Sequence, residues 1–173
     1  MEDKKVIYEI QSKGLNNHSD HLLNLIQEGL EKYQLEVKDF DRIIVGKGPG
    51  AYTGLRVCMT GAKMFSWTLN IPLYTISSLD LLTSGNEDGL YLVCFKAKKG
   101  YVYSKTFEYK NGIRKFLEEE KFLSVEEVEA KYDLSKYIEL NHDNIKIDCL
   151  KIENECSLVD NIHALEPNYL REC

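Results

Sequence analysis

His18 and His21 stand three residues apart near the start of a helical pattern. Imidazoles bind metal when further donors converge with them. No carboxylate or cysteine is evidently placed with this pair, so capping or packing is expected and no metal is assigned. His142-Asp143 and His163 have the residue types of a base and its orienting acid. No recognisable serine or cysteine nucleophile motif accompanies them, and they read as surface residues. Glu118, Glu119 and Glu120 are paired acids in composition only, because adjacent glutamates do not converge on one atom; a solvated run is expected. Cys58, Cys94, Cys149, Cys156 and Cys173 are scattered without a CxxC motif, as reduced thiols of a cytoplasmic protein would be. No catalytic set, metal or cofactor is expected.

The densest signal is the loop "GKGPGAYTGLR", with Gly46, Gly48, Pro49, Gly50 and Gly54 in eleven residues between apolar stretches. Three readings compete. A phosphate cradle would use amides at a helix N-terminus. Yet the spacing fits neither Walker A nor GxGxxG, and Pro49 removes a donor. A tight bend would be shaped by Pro49 and Gly50, with Thr53 capping the next helix. The third reading is a surface approached closely by another protein.

The elements around the loop bear on that choice. Val6–Ile10 reads as a short strand. A helix follows from about Ser19, with Leu22, Leu23, Ile26, Leu30 and Tyr33 at helical spacing and Asn17 or Ser19 as cap. "RIIVG" reads as a buried strand, and a second helix runs from about Thr53 to Leu69. That helix carries only Arg56 and Lys63 as charges and is apolar almost all round, so it must be covered on more than one side. Gly54, Cys58 and Gly61 make a stripe of small residues along it, and Gly29 sits among the apolar residues of the first helix. An interior Gly61 costs about 1 kcal/mol relative to alanine, so a packing gain is expected to offset it. Burial within a closed monomer and pairing with a partner's helices both satisfy this pattern.

"PLYTI" reads as a strand and "SSLDLLTS" as a short capped helix. "SGNEDG" marks a boundary, giving an N-terminal lobe at 1–84 and a smaller C-terminal lobe at 85–173. Beyond it, two strands join around Lys98–Gly100, a capping box Ser124–Glu127 opens a helix to about Tyr132, and "YIEL" and "IKIDCL" are further strands. Alternating strands and helices give an α/β fold in two lobes. Lys96, Lys98, Lys99 and Lys105 form a local basic patch at a hairpin. The net charge of −6 nevertheless disfavours unaided nucleic-acid binding. No apolar run is long enough to span a membrane.

The stretch "GKGPGAYTGLRVCMTGAKMFSWTLNIPLYTISSLDLL" resembles the TsaB (YeaZ) family, as do "HSDHLLNLIQEGL" upstream and "EPNYLR" near the end. The resemblance implies two ribonuclease-H-like lobes of the actin-like/Hsp70 ATPase type, with the first lobe lacking its initial strands and their Asp-Thr-Ser turn. It implies a non-catalytic subunit that pairs with a TsaD-like catalytic subunit, joined by a TsaE-like ATPase, in threonylcarbamoyl transfer to tRNA. Contact with tRNA would occur only within that complex. The implied partner surface comprises Leu22, Ile26, Gly29 and Leu30 of the first helix. From the second helix it takes Gly54, Leu55, Cys58, Met59, Gly61, Ala62 and Phe65. A self-associating structural protein and an autonomous nucleotide-binding enzyme, kinase or protease, stay as alternatives.

Overall fold

The computed structural model describes residues 6–11 and 18–170. The chain orders as α1 (His18–Tyr33), β1 (Ile43–Gly46), α2 (Tyr52–Leu69), β2 (Leu73–Ile76), α3 (Ser78–Leu82), β3 (Gly89–Lys96), β4 (Tyr101–Lys110), β5 (Ile113–Ser124), α4 (Val125–Lys131), β6 (Ile138–Leu140) and β7 (Ser157–Leu158). It is an α/β protein with two sheets, ordered β1-β2-β7 and β5-β4-β3-β6. In the first sheet β1 and β2 run parallel, joined by the α2 crossover, and β7 adds antiparallel to β2. The tail after Cys156 thus returns to the first sheet, where Val159, Ile162 and Leu165 pack on the Val45–Ala62–Leu73 cluster.

The second sheet is a β3–β4–β5 meander with β6 added parallel to β3. Its faces bury separate clusters. Tyr91, Val93, Phe95, Tyr103, Phe107 and Tyr109 pack with Leu79 of α3 and Leu140 on one side. Leu92 and Val102 meet Val128 and Tyr132 on the other. The expected capping box closes α4: the Ser124 hydroxyl accepts from the Glu127 amide, and the Glu127 carboxylate accepts from the Ser124 amide. Ser77 caps α3 in the same manner, accepting from the amides of Leu79 and Asp80.

Several expectations need correction. Residues 6–11 form no strand; they lie on α1, where the Tyr8 ring covers Gly29 and meets Tyr33 edge-on at 6.1 Å. A strand requires a ladder partner, and among the described residues none lies beside this segment. "IKIDCL" is also irregular: its backbone serves the boundary loop, with Lys146 accepting from the Gly85 amide and the Asp148 amide donating to Ser84. Thr53 is not a cap, because α2 begins one residue earlier behind Ala51. Of the two expected caps, Asn17 lies outside the described residues, and Ser19 falls within α1 with its side chain outside what is described. The strand β5 was not anticipated at all. Its glutamates are not a solvated run: Glu118 binds Lys121 and Lys131, and Glu120 faces inward to Ser77. Lys105 leaves the basic patch too, being 5% exposed and paired with Asp80.

Candidate functional site

The glycine loop is built for a bend closed by the chain itself. Gly48 has φ +107°, a conformation that side chains resist. Its amide donates to the Ser78 hydroxyl at 3.0 Å, and its carbonyl accepts from the Ser78 amide at 2.9 Å. The Lys47 amide donates to Ile76, and the Lys47 carbonyl accepts from Asn168 at 2.7 Å. A side chain on Gly48 would collide with the Asn168 carbonyl. The backbone that approaches this loop closely is therefore the chain's own tail. With Lys47 and Gly48 donating internally and Pro49 lacking a donor, few amides are left to cradle a phosphate.

The tail is clamped along α2 by both charges of that helix. Arg56 donates to the Tyr169 hydroxyl at 3.0 Å and lies over the Tyr52 ring, which stacks on Tyr169. Lys63 donates to the carbonyls of Leu165 and His163. His163 meets Trp67 edge-on, yet Trp67 remains 67% exposed. With Met64 and Leu69 also exposed, α2 is not covered all round as its composition led us to expect.

On another side of α2 lies an apolar groove of about 400 Å³. Its walls are Leu22 and Ile26 of α1 and Gly54, Leu55, Cys58, Gly61, Ala62 and Phe65 of α2. β1 contributes Ile43 to Gly46, and α3 closes it with Ser78, Leu81 and Leu82. The structure thus brings together eight of the eleven residues expected to face a partner. Gly54 and Gly61 look into open space, with nothing within 4 Å of where a side chain would start. Leu55 and Ala62 are largely sealed and support the groove from below, and Met59, 3% exposed, belongs to the core. Gly29 and Leu30 border a separate groove of about 390 Å³ on the side of α1 that carries Ile7 to Ile10. Gly29 itself is filled by the chain's own Tyr8.

Among the described residues, no carboxylate, imidazole or amine lines the groove. The concentration of charge lies between the sheets instead. There Lys105 reaches both Asp80 oxygens at 2.8 Å and stands 4.0 Å from Glu120. Glu120 accepts from Ser77 and, at 3.4 Å, from Asn168, so one carboxylate links β5, α3 and the tail. Burial holds its proton affinity above the ordinary carboxylate value, against the opposing hydrogen bond from Ser77. Arg114 bridges Glu155, the Asp80 carbonyl and Thr83. This network fastens the two sheets together. Among the described residues no group of three or more His, Cys, Asp or Glu side chains is placed to hold a metal ion. The His18–His21 pair lies partly outside the described side chains. Among the described residues, no helix is long and apolar enough to cross a membrane.

The fold is that of a known crystal structure, titled as an uncharacterized protein with similarity to peptidase YEAZ from Pseudomonas aeruginosa. That chain superposes with a TM-score of 0.63 at 22% identity, covering 73% of this chain and 60% of the other. The family model described as "TsaD: tRNA N6-adenosine threonylcarbamoyltransferase" matches residues 10–164, and the chain belongs to that family. Within it, the similarity is to TsaB proteins. The tRNA threonylcarbamoyladenosine biosynthesis protein TsaB of Bacillus subtilis is 36% identical over 115 residues, 65% of this chain and 50% of that protein. The protein of the same name from Buchnera aphidicola subsp. Schizaphis graminum is 33% identical over 104 residues, 58% of this chain and 50% of that one. The chain spans about half the length of these curated relatives.

Proposed function

We propose that this protein is a non-catalytic subunit in tRNA threonylcarbamoyladenosine biosynthesis, binding a TsaD-like catalytic subunit through the α1–α2 side of its first sheet. The observation that carries the reading is the open face at Gly54 and Gly61, beside Cys58, on a helix otherwise rich in large apolar residues. Gly61 in mid-helix weakens the helix, and nothing in the chain stands within 4 Å of where its side chain would start. A partner helix set close against it would supply the contact. Similarity to proteins named for this pathway supports a role in it. A TsaE-like ATPase and tRNA join only through the complex, since the net charge of −6 offers phosphate little attraction.

The test is reconstitution. A TsaD-like subunit, its ATPase and substrate tRNA are assayed for threonylcarbamoyl transfer with and without this chain. The expected result is transfer that depends on the added chain and none from the chain alone. Turnover by the isolated chain, or transfer indifferent to it, overturns the reading. Calorimetry with ATP addresses the autonomous-enzyme alternative, for which a saturable titration of the chain alone is required; a flat one is expected.

A further inference from the structure

A separate cavity of about 520 Å³ lies on the second sheet and shares no residue with the α1–α2 groove. That volume falls within the range of small-molecule sites. Cys94 of β3, Val102 of β4, Val125 and Val128 of α4, and Leu134 give it an apolar lining. Val125 and Leu134 are 41% and 44% exposed, so the chain itself leaves that lining partly uncovered.

The charges around the cavity are segregated by element. Lys96, Lys98 and Lys99 come from the β3–β4 hairpin. Glu129 comes from α4, Glu139 from β6 and Asp143 from the turn after it. Among the described residues, no ion pair joins these lysines to these carboxylates. Glu139 is oriented by Asn141, whose side-chain amide donates to it at 3.4 Å. Burial, and then the Glu139 charge, push the Cys94 thiol up to about 11, so it stays protonated and serves as lining, not as a nucleophile.

This arrangement selects by charge. A nucleotide phosphate would gain from the lysines but would meet three carboxylates. An uncharged apolar ligand would cover both sets of charges without pairing either. A molecule with one carboxylate, one ammonium and apolar bulk is matched in every part. We propose that the cavity binds a small amphipathic zwitterion of the class of apolar dipeptides. The carboxylate faces the hairpin lysines, the ammonium faces Glu129 and Glu139, and the side chains rest on Val125, Val128 and Leu134. The volume suits two residues better than one. This goes beyond the subunit reading and does not depend on it.

Calorimetric titration of the full chain tests the proposal with three probes. Leucyl-leucine carries both charges, N-acetyl-leucyl-leucine only the carboxylate, and leucyl-leucinamide only the ammonium. The wild type is expected to bind leucyl-leucine saturably and each singly charged derivative roughly tenfold more weakly. Lys96→Gln/Lys98→Gln and Glu139→Gln change only exposed side chains, so both variants keep the fold. The lysine variant is expected to bind leucyl-leucine no better than leucyl-leucinamide. Glu139→Gln is expected to lose most of its preference over the acetylated probe. Each variant thus removes discrimination at one end of the ligand and spares it at the other, which a general loss of structure would not do. A folded wild type that does not bind leucyl-leucine overturns the proposal. So does equal or tighter binding of either singly charged probe, or a preference that both variants leave intact.

Discussion

The amide of Asn168 donates to the carbonyl of Lys47 over 2.7 Å, pinning the chain's tail to the glycine loop more than a hundred residues upstream. Gly48, the next residue, must lack a side chain for the tail to lie there, and its φ of +107° imposes the same demand. Gly48→Ala is therefore expected to destabilise the protein by about 1–3 kcal/mol, in the range for residues forced into such backbone regions. Chemical denaturation measures it. Loss of tail protection in hydrogen exchange should accompany the change.

Gly61 behaves in the opposite way. Nothing stands within 4 Å of a side chain added there, so Gly61→Ala is expected to stabilise the isolated chain by about 0.5–1 kcal/mol through helix propensity alone. Thermal melts of the two proteins check this. A loss of stability would mean the groove is closed in solution.

Lys105 is buried between Asp80 and Glu120, and its ammonium also lies 3.9 Å from the Phe116 ring centre. Lys105→Met leaves Asp80 charged and without that partner at the junction of the sheets. Removing one member of a buried pair costs about 3–5 kcal/mol. The double variant Lys105→Met/Asp80→Leu should recover most of that loss in urea unfolding. No recovery would mean the pair does more than neutralise itself.

Glu118 is held at a pKa of about 2 by hydrogen bonds from Lys121 and Lys131 and a third from Tyr132. Burial and the same carboxylate push the Tyr132 phenol up to about 12. The carboxylate's folded value lies below its ordinary 4.5, so its stabilisation is present above 4.5 and lost as pH falls toward 2. Glu118→Gln should flatten stability against pH within that window. Glu120 has the contrary sign. Burial raises its pKa, so its contribution is favourable below the ordinary carboxylate value and declines as pH rises through the folded one. Glu120→Gln should remove that decline.

Much of the first sheet was legible because its signals are local. Ser77 caps α3, Pro72 ends the α2 zone, and the apolar spacing of α1 and α2 is helical. The α/β class and the resemblance to TsaB proteins followed from these same residues. The missed strand β5 had a readable marker, since Asn111-Gly112 is a strong hairpin signal and both residues adopt positive φ, 52° and 72°. The Asp88 carboxylate further fixes the turn by accepting from both amides. Charged residues through 114–121 hid the strand, because Arg114, paired with Glu155, and Glu120, beside Lys105, are turned inward where apolar side chains would be expected. The candidate groove was only half legible. Helical spacing placed Leu22, Ile26, Gly54, Cys58 and Gly61 on related faces. That Tyr8 fills Gly29, and that Asn168 meets Gly48, are long-range contacts with no local trace.

The central claim, that the α1–α2 groove receives a TsaD-like subunit, is tested most directly by titrating that subunit with the wild-type chain and with Gly61→Leu. The account predicts saturable binding by the wild type and loss of association in the variant. Overpacking a close helix contact costs about 1–3 kcal/mol while the isolated variant, with open space at that position, stays folded. Absence of binding by a folded wild-type chain, or equal affinity for both proteins, would contradict it.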